Sequence, residues 1–388
     1  DRPVCYDLPR QIVELDYVNE IILPPRDLLG NLNKNADISE ISEFVKKSGG
    51  FDVVVLSLDT IAYGGLISSR RGIESFETVK NRIDDFIKLL KESHARIYAF
   101  SSVMRISNNN INEEEPEYWS DFGTRIFKYS YDMHKTGVAD KNSIPVPVLN
   151  DYLSRRKRNF EINKYYIELK RRDIFDTLIF SKDDCAEFGL NVQEANELKK
   201  LSEGIENVFI KTGADEIPLT LLSRALNKDK NVKIAPVYTN PDSVNLISKY
   251  EDISVRDSVK SQIETAGAIV SSPDEADMIL LVNNFRKTQG ELVMNIFEPG
   301  FDGELKLPDK PYFIADILNA NGADNNFVKK LFEKNFLNNF FGYAAWNTTG
   351  NTSGSVISSA LTYYCAENPC KNNFLKLQSI RFLDDWAY

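Results

Sequence analysis

The chain has 388 residues, 42% hydrophobic and 27% charged, with a formal net charge of −10. That length suits one large domain or two ordinary ones. The acidic balance is spread along the chain, which argues against nucleic acid, whose phosphates need clustered Lys and Arg; no run of roughly 18 apolar residues is present to span a membrane.

Four cysteines, Cys5, Cys185, Cys365 and Cys370, are too sparse for a disulfide scaffold. With no signal peptide in view, the expected setting is reducing and cytoplasmic. The two histidines, His94 and His134, stand apart from other candidate ligands, so a His-based zinc site is not expected. No cofactor is called for, and a metal here would be a hard cation such as Mg on oxygen ligands.

In chain order, short β-branched runs predict strands at 20–23, 53–58, 96–103, 177–180, 207–211, 233–238, 278–282, 311–315 and 342–345. Amphipathic stretches predict helices at 38–47, 76–93, 192–203 and 218–226. In the second of these, Val79, Ile83, Phe86 and Leu89 or Leu90 share one face, as a helix covering a sheet requires. About seventy residues separate the strands ending near Val103 and starting near Thr177, far beyond the usual roughly 4–6. They read as a helical insertion over 107–172: a helix at 113–134, then one at 151–172 whose basic run SRRKRN is expected to be a solvated face.

Alternating strands and helices predict an α/β fold with a mainly parallel sheet, (β/α)-barrel-like, with two doubly wound α/β halves as the alternative. A shift toward Asn and Gly divides residues 1–265, an α/β region with the insertion, from a C-terminal α/β region at 266–388. The abrupt opening at Asp1 and the uncapped RFLDDWAY at the end suggest a piece of a longer protein.

Polar residues gather at the carboxyl ends of the predicted strands, where parallel α/β folds bind ligands, and the strand starts are plainer. Asp183 and Asp184 are the sharpest cluster, since adjacent carboxylates raise one pKa while the other stays ionised, the requirement for acid chemistry. Asp215 and Glu216 precede a proline-started helix, where capping accounts for one acid. Asp59 follows an apolar strand and precedes Tyr63 and a glycine pair, which suggests a ligand contact. Arg70 and Arg105 either clamp a substrate group or pair with these acids, and Asn108 lies in a polar strand end. The loop 346–355 offers Trp346, Asn347 and Asn351 with Gly350 and Gly354 before a helix from about Ser355, an anion or hydroxyl site rather than a Walker loop.

These motifs make the chain resemble the bacterial family catalogued as "domain of unknown function 4127". The resemblance rests on DRP at 1–3, PPRDLLG at 24–30, SLDTIAYGGLISSR at 57–70, MRIS at 104–107 and EEEPEYW at 113–119. It continues through DYLSRRKRN at 151–159, KDDCAEFG at 182–189, GADE at 213–216, WNTTGNTSG at 346–354 and RFLDDW at 381–386. It implies that these residues belong to a shared site and names no activity. The KDDCAEFG strand end is also similar to that of barrel glycosidases that use the substrate's acetamido group, in which the second Asp is the general acid.

The expected function is hydrolysis of a carbohydrate by Asp183 and Asp184, with the other named residues binding substrate. A metal-assisted hydrolase with Asp/Asn ligands and a non-catalytic sugar or small-ligand binding protein are the alternatives.

Overall fold

A computed structural model describes residues 3–388, and they form two compact units. The first spans Ile22–Thr212; the second comprises residues 3–21 and Gly213–Tyr388. Asp1 and Arg2 of the DRP motif lie outside the described residues. All the sheets are parallel, as alternating strands and helices require.

In the first unit, β1 (Val53–Ser57), β2 (Arg96–Val103), β3 (Thr177–Lys182) and β4 (Val208–Thr212) stand side by side in sequence order. Each crossover advances one strand in the same direction. Every residue of β3 is buried, the mark of a strand covered on both faces. Helix Phe76–Lys91 is capped by Ser75, which accepts from Thr78 N, and buries Val79, Ile83, Phe86, Ile87 and Leu90 against this sheet's core. The insertion folds as helices Trp119–Thr136 and Val146–Arg171 around a core of its own, centred on Trp119, Ile126 and Tyr152.

The basic run of that second helix is not a solvated face. Arg156, Arg158 and Asn159 are buried. Arg158 donates to Ser69 O and Gly72 O at 2.7 Å, satisfying carbonyls left open at the end of helix Leu66–Arg71. Arg155 reaches Arg71 O and Gly72 O, and Arg156 pairs with Glu194 while donating to Met104 O. Charge count alone cannot distinguish such arginines from solvated ones, because orphan carbonyls at a helix end leave no trace in a sequence.

The second unit holds β5 (Lys233–Tyr238), β6 (Ile269–Val270), β7 (Met278–Asn283), β8 (Gly290–Glu291), β9 (Tyr312–Asp316), β10 (Asn319–Ala320) and β11 (Phe340–Ala344). Five form one sheet in the order β11-β9-β7-β5-β6, and β8 pairs with β10. The strand period of two divides the core cleanly. Ile279, Leu281, Tyr312 and Ile314 enter one cluster, while Leu280, Val282, Phe313 and Ala315 enter the other. Here the winding reverses: β6 lies on one side of β5, and β7, β9 and β11 follow on the other.

The strands are thus shared among three parallel sheets in two units, the arrangement of the alternative with two α/β halves. The units divide at Thr212/Gly213, where one sheet ends, whereas the shift in composition falls near 265. Residues 20–23 do not join a sheet; Pro24 and Pro25 follow, and proline has no N–H for a ladder. Helix Thr349–Cys365 starts a turn and a half before the expected Ser355. Gly350 and Gly354 lie inside it, and a Cβ on Gly354 would sit 2.3 Å from Glu216 Cγ. Gly354 serves close packing, which outweighs its cost of about 1 kcal/mol in a helix.

Gly30 of PPRDLLG turns with φ +74°, and a Cβ there would meet Lys34 O at 2.4 Å and Ala36 N at 2.6 Å. Gly204 has φ +76° with nothing within 4 Å. Gly204→Ala is expected to cost about 1 kcal/mol, and Gly30→Ala about 2–4 kcal/mol, in urea unfolding. Equal losses would show that the turn at Gly30 yields.

Candidate functional site

Three strand ends of the first unit converge on one cluster of charges. After β1, Ser57 caps helix Leu58–Tyr63 and Asp59 falls in its first turn, buried, with Oδ2 accepting from Ser102 N on β2 at 2.8 Å. Burial pushes the Asp59 carboxyl up to about 6 against the pull of the Ser102 N–H. Tyr63 is buried in the core with Arg158 over its ring, and burial raises its phenol. The next helix carries Arg70, only 1% exposed.

After β2 the chain supplies Arg105, then Glu114 and Glu115; Asn108 on this segment is exposed. After β3 come Asp183 and Asp184, the latter left-handed at φ +43°, a conformation aspartate tolerates better than most side chains.

Arg105 is the hub. Its Nε donates to Glu115 Oε1 at 3.0 Å and Nη2 to Glu114 Oε2 at 2.8 Å. Its Nη1 lies 3.2 Å from Asp183 Oδ2 and 3.1 Å from Asp184 Oδ2. Arg70 adds Nη1 to Glu114 at 3.3 Å and Nη2 to Asp183 Oδ2 at 3.4 Å. Burial works against the charge on Arg105, and the four carboxylates outweigh it, holding the guanidinium above its ordinary value.

Asp184 is the most exposed member, its side chain 42% accessible against 22% for Asp183. Burial among the cluster and then the neighbouring Asp183 push its carboxyl up to about 6, with Arg105 and Arg70 pulling the other way. Among the described residues, only the Oδ2 atoms of this pair accept hydrogen bonds; both Oδ1 atoms are left for a ligand or water.

The remaining expected residues lie in the second unit, where the two loops do meet. Asn351 Oδ1 accepts from Ala214 N at 3.2 Å, and its Nδ2 donates to Asn347 Oδ1 at 2.8 Å. Trp346 Nε1 donates to Ser355 Oγ at 2.9 Å, and buried Glu216 accepts from Gln262 Nε2 at 2.7 Å. Asp215 stands beside Glu216, its backbone carbonyl facing the Cys5 thiol. The negative charge that the start of helix Thr349–Cys365 favours comes from the protein itself: Gly350 N donates to Glu251 Oε1 at 2.6 Å. Burial pushes Glu251 up to about 7.

In a sheet whose winding reverses, ligands commonly bind at the reversal, here between the carboxyl ends of β5 and β7. That place is laced shut. Thr239 Oγ1 donates to Asn283 Oδ1 at 3.0 Å, while Asn240 N donates to Asn284 Oδ1 and Asn284 Nδ2 to Asn240 O. Behind it Asn283 Nδ2 bridges Asp316 and Asp324, and Asp316 also accepts from Asp324 N and Tyr343 OH. Burial, then Asp324, push Asp316 up to about 7.

Sequence reasoning missed Glu114 and Glu115 as site members, although EEEPEYW was among the motifs. Glu251, Asn283, Asp316 and Asp324 were missed too; the polar strand ends NNFRK and DILNANGAD were the available signal for the last three.

Two outcomes are expected. Arg105→Met removes the guanidinium that all four carboxylates share and should cost about 3–5 kcal/mol in urea unfolding, with Asp184→Asn restoring part of it; an unchanged midpoint would show the cluster contributes nothing. Asp59, Asp184, Glu251 and Asp316 all hold protons in the fold that the unfolded chain has released. Stability should therefore fall as pH rises from about 4 through about 7, with Tm lower at pH 8 than at pH 5.5 by about 4 °C or more. A Tm that rises over this range would contradict the burial of these groups.

No curated protein sequence matches the chain significantly. The family described as protein of unknown function (DUF4127) matches residues 1–388, and the chain belongs to it.

Proposed function

We propose that the first unit carries a hydrolytic site acting on a carbohydrate, with Asp184 as general acid and Asp183 as its fixed anionic partner. The observation that carries this reading is the unequal treatment of the two carboxylates by one guanidinium. Asp183 Oδ2 takes contacts from both Arg70 and Arg105, which locks its orientation. Asp184 takes one, is the more exposed, and has its carboxyl pushed up to about 6. An acid with that pKa still delivers protons near neutral pH.

In the proposed reaction Asp184 protonates the leaving oxygen as the glycosidic C–O bond breaks. Asp183 stabilises the positive charge that develops at the sugar carbon. Water then adds to that carbon, and its released proton returns to Asp184. Glu114 and Glu115 touch no reacting atom in this scheme; they position the two arginines.

The test is a panel of aryl and alkyl glycosides with wild type and Asp184→Asn. Loss of the acid should lower kcat by about 10²–10⁴-fold. The loss should be larger for alkyl than for aryl leaving groups, since the poorer leaving group needs the proton more. No turnover on any glycoside, or turnover only after adding Mg or Mn, would refute the reading.

A further inference from the structure

We infer that the ligand of the Asp183–Asp184 pair presents a protonated nitrogen to it, so that the favoured substrate is an amine-bearing sugar rather than a uronate, phosphate or sulfate ester. This rests on the pair being the binding site proposed above and adds the charge of what binds.

An anionic ligand needs a free guanidinium fork, and the described residues of the cluster offer none. Every nitrogen of Arg105 is engaged by a carboxylate: Nε by Glu115, Nη1 by the aspartates, Nη2 by Glu114. Both Nη atoms of Arg70 are engaged by the same acids, and its Nε is sealed from solvent. What the cluster turns outward are acceptors, the Oδ1 atoms of Asp183 and Asp184. Behind them Glu115, 2% exposed, keeps Oε2 buried with no partner, a further acceptor aimed into the same cluster.

Two guanidiniums stand against four carboxylates, a formal excess of −2. Counting also the buried Lys182 and Lys211 and the buried Asp59 beside Arg70 leaves an excess of −1 among the described residues. In a partly buried site such an excess attracts an ammonium and repels a carboxylate. Neutral hydroxyls, being donors as well as acceptors, fall between.

The experiment measures binding by calorimetry at pH 7.5 for the amine, neutral and carboxylate forms of three hexoses: the 2-amino sugar, the parent sugar and the uronate of glucose, galactose and mannose. In at least one series the amine should bind about 10-fold or more tightly than the parent, with the uronate weakest. The advantage should shrink severalfold between 0.05 M and 0.5 M NaCl and disappear in Asp184→Asn, whose side chain is exposed enough to leave folding intact. Should that variant unfold, Asp183→Asn serves in its place.

Uronate binding as tight as the parent's, an amine preference that survives both substitutions, or no binding by any amine would each overturn the inference. Amine binding without hydrolysis of any glycoside would refute the proposed reaction and leave this inference standing. Glycoside cleavage without amine preference would do the reverse.

Discussion

A guanidinium removed from water holds its charge only where carboxylates replace the lost solvation, and Arg105 has four of them. Two come from its own segment after β2 and two from the turn after β3, while Arg70 reaches the same acids from the helices after β1. One ionic knot therefore ties three adjacent strand ends together. Hydrophobic packing places the strands, and opposite charges place the loops. Ion pairs are stricter than apolar contacts about distance and direction, so the carboxylates inherit a fixed geometry that a flexible loop would not supply.

The second unit handles buried acids by other means. Asp316 and Glu251 are fully shielded and are met by neutral donors, an asparagine amide, a tyrosine hydroxyl and backbone N–H groups, instead of by cations. Neutral donors solvate a carboxylate less completely than a guanidinium does, which is why burial raises these two up to about 7. The two units illustrate two solutions to the same electrostatic cost. In one the acids are met by guanidiniums and stay reachable; in the other they are hidden among amides.

Much of this architecture is legible in the order of the residues. The parallel α/β class, β2 and β5, and the buried face of helix Phe76–Lys91 follow from period and composition, because burial writes itself directly into the order of apolar residues. Asp183, Asp184, Arg70 and Arg105 are legible as types at strand ends. That Glu114 and Glu115 complete the set is not, because their partners lie in other segments and charge carries no period. Asn347 and Asn351 look like an open ligand loop, since glycine beside threonine reads as flexible. Only the depth of Glu216 beneath Gly354 shows that this glycine lets a buried helix approach.

The arginines of helix Val146–Arg171 carry a consequence for how the first unit can move. Arg155 and Arg158 hold the backbone carbonyls of Ser69, Arg71, Gly72 and Glu74, the residues flanking Arg70. A helix gripped by its carbonyls cannot slide independently of the side chains that grip it. The insertion is thus mechanically in series with Arg70: any displacement of that long helix is delivered to the guanidinium touching Asp183. A segment that from its length alone looks like an excisable cap is the lever arm on which the charge balance of the strand ends rests.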